Sequence, residues 1–155
     1  MNAAERAKHK SRKAVASWAA VAVWAVFIFF ASAHTGLNLE EGSDFLGQLK
    51  NAVDALLAQL AVPGLQESSS LGHFCEYTVL GVLLANALRF RLPLLQACLL
   101  AVLCASAYGV TDEFHQLFVP GRACDAADWA VDTVGASLGA AVFGGLRRAA
   151  RERMR

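Results

Sequence analysis

Twenty consecutive residues, Ala14 to Ala33, carry no charged side chain. A helix of that length rises about 1.5 Å per residue and reaches about 30 Å, the thickness of one hydrocarbon core. Three further apolar runs follow: His73 to Leu88, Leu92 to Val110 and Trp129 to Leu146. Inside a bilayer every backbone N–H and C=O needs a partner within the protein, so each run is predicted to be a helix. Composition agrees. The chain is 56% hydrophobic and 17% charged, against about 25% charged in a typical soluble domain. The expected fold is all-α: a polytopic membrane protein with four transmembrane helices in a bundle.

Charge is segregated along the chain. Twelve of the fourteen Lys and Arg residues fall in three clusters, Arg6 to Lys13, Arg89 with Arg91, and Arg147 to Arg155, and eleven of the thirteen acids lie between those clusters. Such a pattern separates two sides of a membrane and makes no basic patch for nucleic acid. By the positive-inside rule the basic side is cytoplasmic. The expected organisation is a basic cytoplasmic N-terminus (1–13), a transmembrane domain (14–146) and a basic cytoplasmic tail (147–155), in the cytoplasmic membrane. Ala31-Ser32-Ala33 imitates a signal-peptide cleavage site. The run before it exceeds the about 7–15 residues of an ordinary signal core, and cleavage would leave an odd number of helices, so an uncleaved anchor is expected.

Between the first two runs, His34 to Gly72 is polar. Phe45, Leu49, Val53, Leu56 and Leu60 recur there at helical spacing, with Ser43 as an N-cap. This predicts a short extracytoplasmic amphipathic helix on the membrane surface. The four cysteines form no CxxC pair. Cys98 and Cys104 read as small packing residues.

The chemistry-bearing residues concentrate near the ends of three runs on the acidic side. His73, Glu76 and Tyr77 share one helix face at i, i+3, i+4. Tyr108, Asp112 and His115 share another if the third helix continues past Gly109, with Gln116 at its border and Glu113 pointing more to the side. Asp125, Asp128 and Asp132 line the start of the fourth, and Gly135 and Gly139 continue that stripe as a small-xxx-small pattern. Pro120 and Gly121 make the turn before it, and Arg122 is the only arginine on this side. Ionisable groups at a membrane edge are costly and mark functional sites by default. Asp112, Glu113, His73 and His115 are the candidate catalytic, proton-handling groups. Glu76, Tyr77, Gln116, Arg122, Asp128 and Asp132 are the candidate ligand contacts, with Arg122 suited to forking onto an anionic group. No spacing is a recognised metal motif, so no metal site is expected, and no cofactor can be named. No GxSxG or SxxK frames Ser68 to Ser70.

The strings HFCEYTVLGVLL (His73 to Leu84) and AYGVTDEFHQLFVPGR (Ala107 to Arg122), with Asp128, Asp132 and Gly135, resemble the VanZ-like family of small membrane proteins. The resemblance covers chiefly residues 70 to 140. Motif positions fall on His73, Glu76, Tyr77, Asp112, Glu113, His115, Gln116, Gly121, Arg122, Asp128 and Asp132. Family members often carry a lysine or arginine pair just before the HF motif, where this chain has Ser69 and Ser70. The resemblance implies a four-helix integral membrane protein and, through the family's founding member, a link to teicoplanin resistance.

The functional expectation is an outward-facing polar pocket that binds, and in its fuller form modifies, a membrane lipid or a lipid-linked envelope amphiphile. The alternative is a structural or accessory membrane protein whose polar cluster holds the bundle together. A transporter is disfavoured, because the midspan residues are Ala, Leu, Val and Gly rather than ionisable ones.

Overall fold

The computed structural model describes residues 2–33, 68–120, 122 and 124–154. Over these the chain forms α1 (Ala3–Ala33), α2 (Ser68–Leu88), α3 (Leu94–Gln116) and α4 (Ala126–Glu152), with no strand among the described residues. All four are long and apolar enough to cross a membrane. The all-α, four-span expectation therefore holds. The expected amphipathic helix over 43–60 lies outside the described residues.

Each helix differs from its apolar run in an informative way. α1 begins at Ala3, not at Ala14, and so includes the basic segment. A capping box starts it: the Asn2 Oδ1 accepts from the Glu5 N–H at 2.8 Å, and a Glu5 carboxylate oxygen accepts from the Asn2 N–H at 2.9 Å. Two orphan donors of the first turn are thereby satisfied. Hydropathy marks where the membrane begins, while the cap marks where the helix does. Pro93 is the N-cap of α3 and precedes its first turn. α3 runs unbroken through Gly109 to Gln116, which carries the acidic motif on helix rather than loop.

The interior is built from small residues. On α3, Ala97, Ala101, Ala105 and Gly109 are buried at four-residue intervals, and Leu95, Leu99, Leu103 and Val110 point outward. Lipid solvates those large side chains as well as a core would, so close backbone approach decides the packing. α2 and α4 pair most tightly. A Cβ on Gly135 would sit 2.5 Å from the Phe74 carbonyl oxygen, and one on Gly81 or Gly139 would meet the backbone of Ala136 or Thr78. The small-xxx-small stripe thus packs inside the monomer. Cys98 is half-buried, whereas Cys104 is exposed on the outer surface of α3 and packs no core; all four cysteines are free.

α1 is the least embedded helix, with Ile28 and Ser32 its buried side chains. Two cross-helix bonds tie it down. The Trp24 indole N–H donates to the Glu76 carbonyl at 2.9 Å, and the Tyr108 hydroxyl donates to the Ala25 carbonyl at 2.7 Å.

The basic clusters meet at one end of the bundle. Lys13, Ser17, Asn86 and Arg89 line a common cleft there. The Asn86 amide donates to the Ser17 hydroxyl and accepts from the Arg89 Nε. Burial first, then the charges of Arg147 and Arg151, lowers the pKa of the Arg89 guanidinium. The acidic motif lies at the other end.

Candidate functional site

The interior stripes of α2, α3 and α4 stop being small and apolar at this second end, and become polar. His73, Tyr77, Asp112, Glu113, Gln116 and Asp132 are all buried, and Ser32 of α1 joins them. Asp132 is 0% exposed, Asp112 2% and Glu113 3%. Carboxyl groups are seldom that buried without partners, so their partners define the site.

His73 on α2 and Asp132 on α4 form the centre, with the imidazole Nδ1 3.2 Å from Asp132 Oδ1. The Gln116 amide nitrogen lies 3.5 Å from His73 Nε2 and donates to Glu113 Oε1 at 3.3 Å. These contacts fit one assignment: Nδ1–H donates to the Asp132 carboxylate, and Nε2 accepts from Gln116. The tautomer is inferred from the network. The other Glu113 oxygen accepts from the Asp125 backbone N–H at 2.8 Å. That N–H belongs to the N-cap residue of α4, whose own carboxylate accepts from Ala127 N at 2.8 Å. A carboxylate at a helix N-terminus is favourably placed.

Asp112 turns toward α1. One of its oxygens accepts from the Ser32 hydroxyl at 2.8 Å. Glu76 is half-buried on α2, within electrostatic reach of His73, Asp112, Asp132 and Arg122. The Tyr77 ring lies nearly parallel to that of His73, with centroids 6.4 Å apart. Gly109 permits this crowding, because a Cβ there would meet Asp132 Oδ2 at 3.2 Å and the Trp129 ring at 3.3 Å.

Five buried side-chain atoms have no hydrogen-bond partner among the described residues: Tyr77 Oη, Asp112 Oδ1, His115 Nε2, Arg122 Nε and Asp132 Oδ2. Each such atom costs free energy unless something else fills its valence, about 1–3 kcal/mol for a neutral group and more for a charged one.

The structure gathers most of the expected residues and places several of them differently from the helical-wheel expectation. Glu113, expected at the side of α3, belongs to the central network. His115, expected on the face of Asp112, is half-buried and stacks on Phe29 of α1 with ring centroids 4.2 Å apart. Residues 100° apart on a helix can both face the interior when different helices flank it. Here α1 receives Asp112 and the start of α4 receives Glu113. The three aspartates of α4 also part company: Asp125 is an exposed cap, Asp128 half-buried and Asp132 fully buried. Arg122 sits half-buried after a turn in which its N–H donates to the Val119 carbonyl at 3.1 Å. Sequence reasoning missed Ser32, Phe29 and Trp129. Ser32 carries a signal, as a lone hydroxyl near the end of a charge-free run, but its place in Ala31-Ser32-Ala33 imitates a cleavage site and masks it.

His73, Glu113 and Asp132 come from three different helices, yet one ligand atom of each lies within 4.8 Å of the others. No sequence spacing announces that grouping, which is why no metal motif was legible.

A family model described as VanZ/LLP1 matches residues 17–147, spanning all of α2 and α3 and the membrane-crossing parts of α1 and α4. No curated protein and no solved structure matches the chain. With a match over most of its length, and with the motif residues gathered at one end of a four-helix bundle, the chain belongs to the VanZ/LLP1 family.

Proposed function

We propose that the polar end of the bundle faces away from the cytosol and captures the head group of a lipid-linked or envelope amphiphile. One observation carries this reading: buried polar atoms without partners, from three helices and the turn before α4, collect at one membrane edge. A ligand supplying hydroxyls, amides or an anionic group would satisfy them. The surroundings suit the rest of such a molecule. Phe114, Leu117 and Phe118 are 61%, 56% and 71% exposed beside the polar groups, an apolar rim where acyl chains can lie. Arg122 pairs with an anionic group, while Glu76, Tyr77, Gln116, Asp128 and Asp132 contact or orient the head. Modification of the head group would fall to Asp112, Glu113, His73 and His115, the groups able to exchange protons with it. Family membership adds an association with teicoplanin resistance as the phenotype to examine first.

Orientation is supported by the gathering of the basic clusters at the opposite end. Cys124 is exposed in the segment before α4. In intact cells, a membrane-impermeant maleimide is expected to label a variant keeping only Cys124. Labelling that requires lysis would reverse the topology.

Head-group capture is tested by native mass spectrometry of the purified wild type and of Arg122→Ala. The wild type is expected to retain a co-purifying amphiphile. A hydrogen bond to a charged group contributes about 1.5–3 kcal/mol, so Arg122→Ala should lower retention about tenfold or more while remaining monodisperse. Equal retention by both proteins would remove Arg122 from the site, and an empty wild type would remove the capture reading.

A second reading, a structural accessory protein, is favoured by the cross-helix bonds His73–Asp132, Ser32–Asp112 and Glu113–Asp125.

A further inference from the structure

We infer that His73, Glu113 and Asp132 form a binding site for a divalent transition-metal ion of the zinc class. The inference deepens the head-group reading and rests on it for the choice of site.

Three observations converge. The first is geometry. Three atoms no more than 4.8 Å apart can all lie within about 2.8 Å of a common point, against about 2.0–2.2 Å for zinc bonds to imidazole and carboxylate. Side-chain adjustments of well under an ångström per residue close that gap. The backbones of α2 and α4, which carry His73 and Asp132, are held together by the Gly81, Gly135 and Gly139 contacts, and α3, which carries Glu113, comes close to them at Gly109 beside Asp132 and Tyr77.

The second is charge. Asp112, Glu113 and Asp132 are at most 3% exposed. The basic groups within their electrostatic reach are His73, His115 and Arg122. Of these only His73 is fully buried. Buried carboxylates in such excess are costly when ionised. A divalent ion held by Glu113 and Asp132 cancels both charges, and among the described residues the one fully buried basic group beside them is the His73 imidazole.

The third is the unpartnered atoms. Asp132 is wholly buried, and its Oδ2 has no hydrogen-bond partner among the described residues. It lies beside Gly109, where a Cβ would also meet the Tyr77 ring at 3.5 Å. Tyr77 is 0% exposed and its hydroxyl is likewise unpartnered. A buried carboxylate with one oxygen on an imidazole and the other without a partner among the described residues keeps an open valence.

The chemistry of the set selects the ion. One imidazole with two carboxylates is a mixed N/O set, suited to zinc or its first-row neighbours rather than to the all-oxygen shells of calcium and magnesium. Three protein ligands leave a fourth position open, as in catalytic zinc sites. Gln116, which donates to Glu113 Oε1, is placed to orient that ligand, the usual task of a neighbouring polar group. An oxygen of a bound head group, a phosphate oxygen above all, would take the open position.

The test uses the full-length protein, purified with a histidine-free tag and with exposed cysteines blocked by maleimide. Samples are stripped with EDTA, incubated with zinc alone and dialysed, and bound metal is counted by elemental mass spectrometry. About one zinc per wild-type chain is expected, with a raised melting temperature. Glu113→Gln and Asp132→Asn should each weaken zinc affinity by at least about tenfold, on the order of what even outer-shell changes cost, and abolish the zinc-dependent rise in melting temperature. Should Asp132→Asn fail to fold, Glu113→Gln decides. A wild type that holds no more zinc than its EDTA control, or variants that hold as much as the wild type, would overturn the site. Amphiphile retention is measured on the same samples. Zinc without amphiphile upholds the metal and removes head-group capture, and amphiphile without zinc does the reverse.

Discussion

Gly139→Val is expected to leave almost no folded protein. A Cβ at Gly139 would press into the backbone of Thr78 on α2, closer than real Cβ atoms approach anything, and would sit a tight 3.1 Å from Val82 N. The obstacle is backbone, so no rotamer change relieves it. The two helices would have to separate, and Gly81 against Ala136 and Gly135 against Phe74 would separate with them. Overpacking commonly costs about 1–3 kcal/mol where side chains can yield. Here they cannot, and the loss should exceed that range, a large part of a typical stability of about 5–15 kcal/mol. Gly145→Val on the same helix is the control, because nothing lies within 4 Å of its would-be Cβ. Size-exclusion profiles in detergent should show aggregate for Gly139→Val and a wild-type peak for Gly145→Val. Matching profiles would mean that α2 and α4 are not in contact along this stripe.

That stripe also shows what the sequence made legible. A charge-free run of membrane length, and glycines four residues apart, are local patterns whose physical meaning survives any arrangement of the helices. The four spans and the close-packing face were readable for that reason. So was the gathering of acids, imidazoles and Arg122 at one depth, since helix ends fix depth. Rotation about each helix axis was not readable, because it depends on which neighbours flank the helix. For that reason Glu113 lies in the central network and His115 against Phe29 of α1, contrary to the helical-wheel expectation. Pairings across helices were equally hidden: His73 finds Asp132, and Asp112 finds Ser32, through the packing of distant segments. The start of α1 was hidden by a different cause. Its capping box lies in a segment whose basic composition drew the reading toward membrane topology.

His73→Ala carries the other large expected effect, and it separates the two functional readings. It strips Asp132 of the hydrogen bond to Oδ1 while Oδ2 is already unpartnered, leaving a wholly buried carboxyl group with no partner among the described residues. Leaving a buried polar group unsatisfied costs about 1–3 kcal/mol, and more when that group is charged, well above the roughly 0.6 kcal/mol of an ordinary interhelical hydrogen bond in a membrane protein. Unfolding in mixed micelles should register that loss directly. The double variant His73→Leu/Asp132→Leu removes both polar groups, and apolar replacement of a buried pair is often neutral or better. It should therefore recover more than half of the stability lost in His73→Ala. If the cluster exists only to hold the bundle, the recovered protein should also recover function, and its amphiphile retention should match the wild type. If the cluster is a head-group site, stability returns and retention does not. That divergence between a restored fold and a lost ligand is the expected result. A double variant that retains its amphiphile would assign His73 and Asp132 to the scaffold.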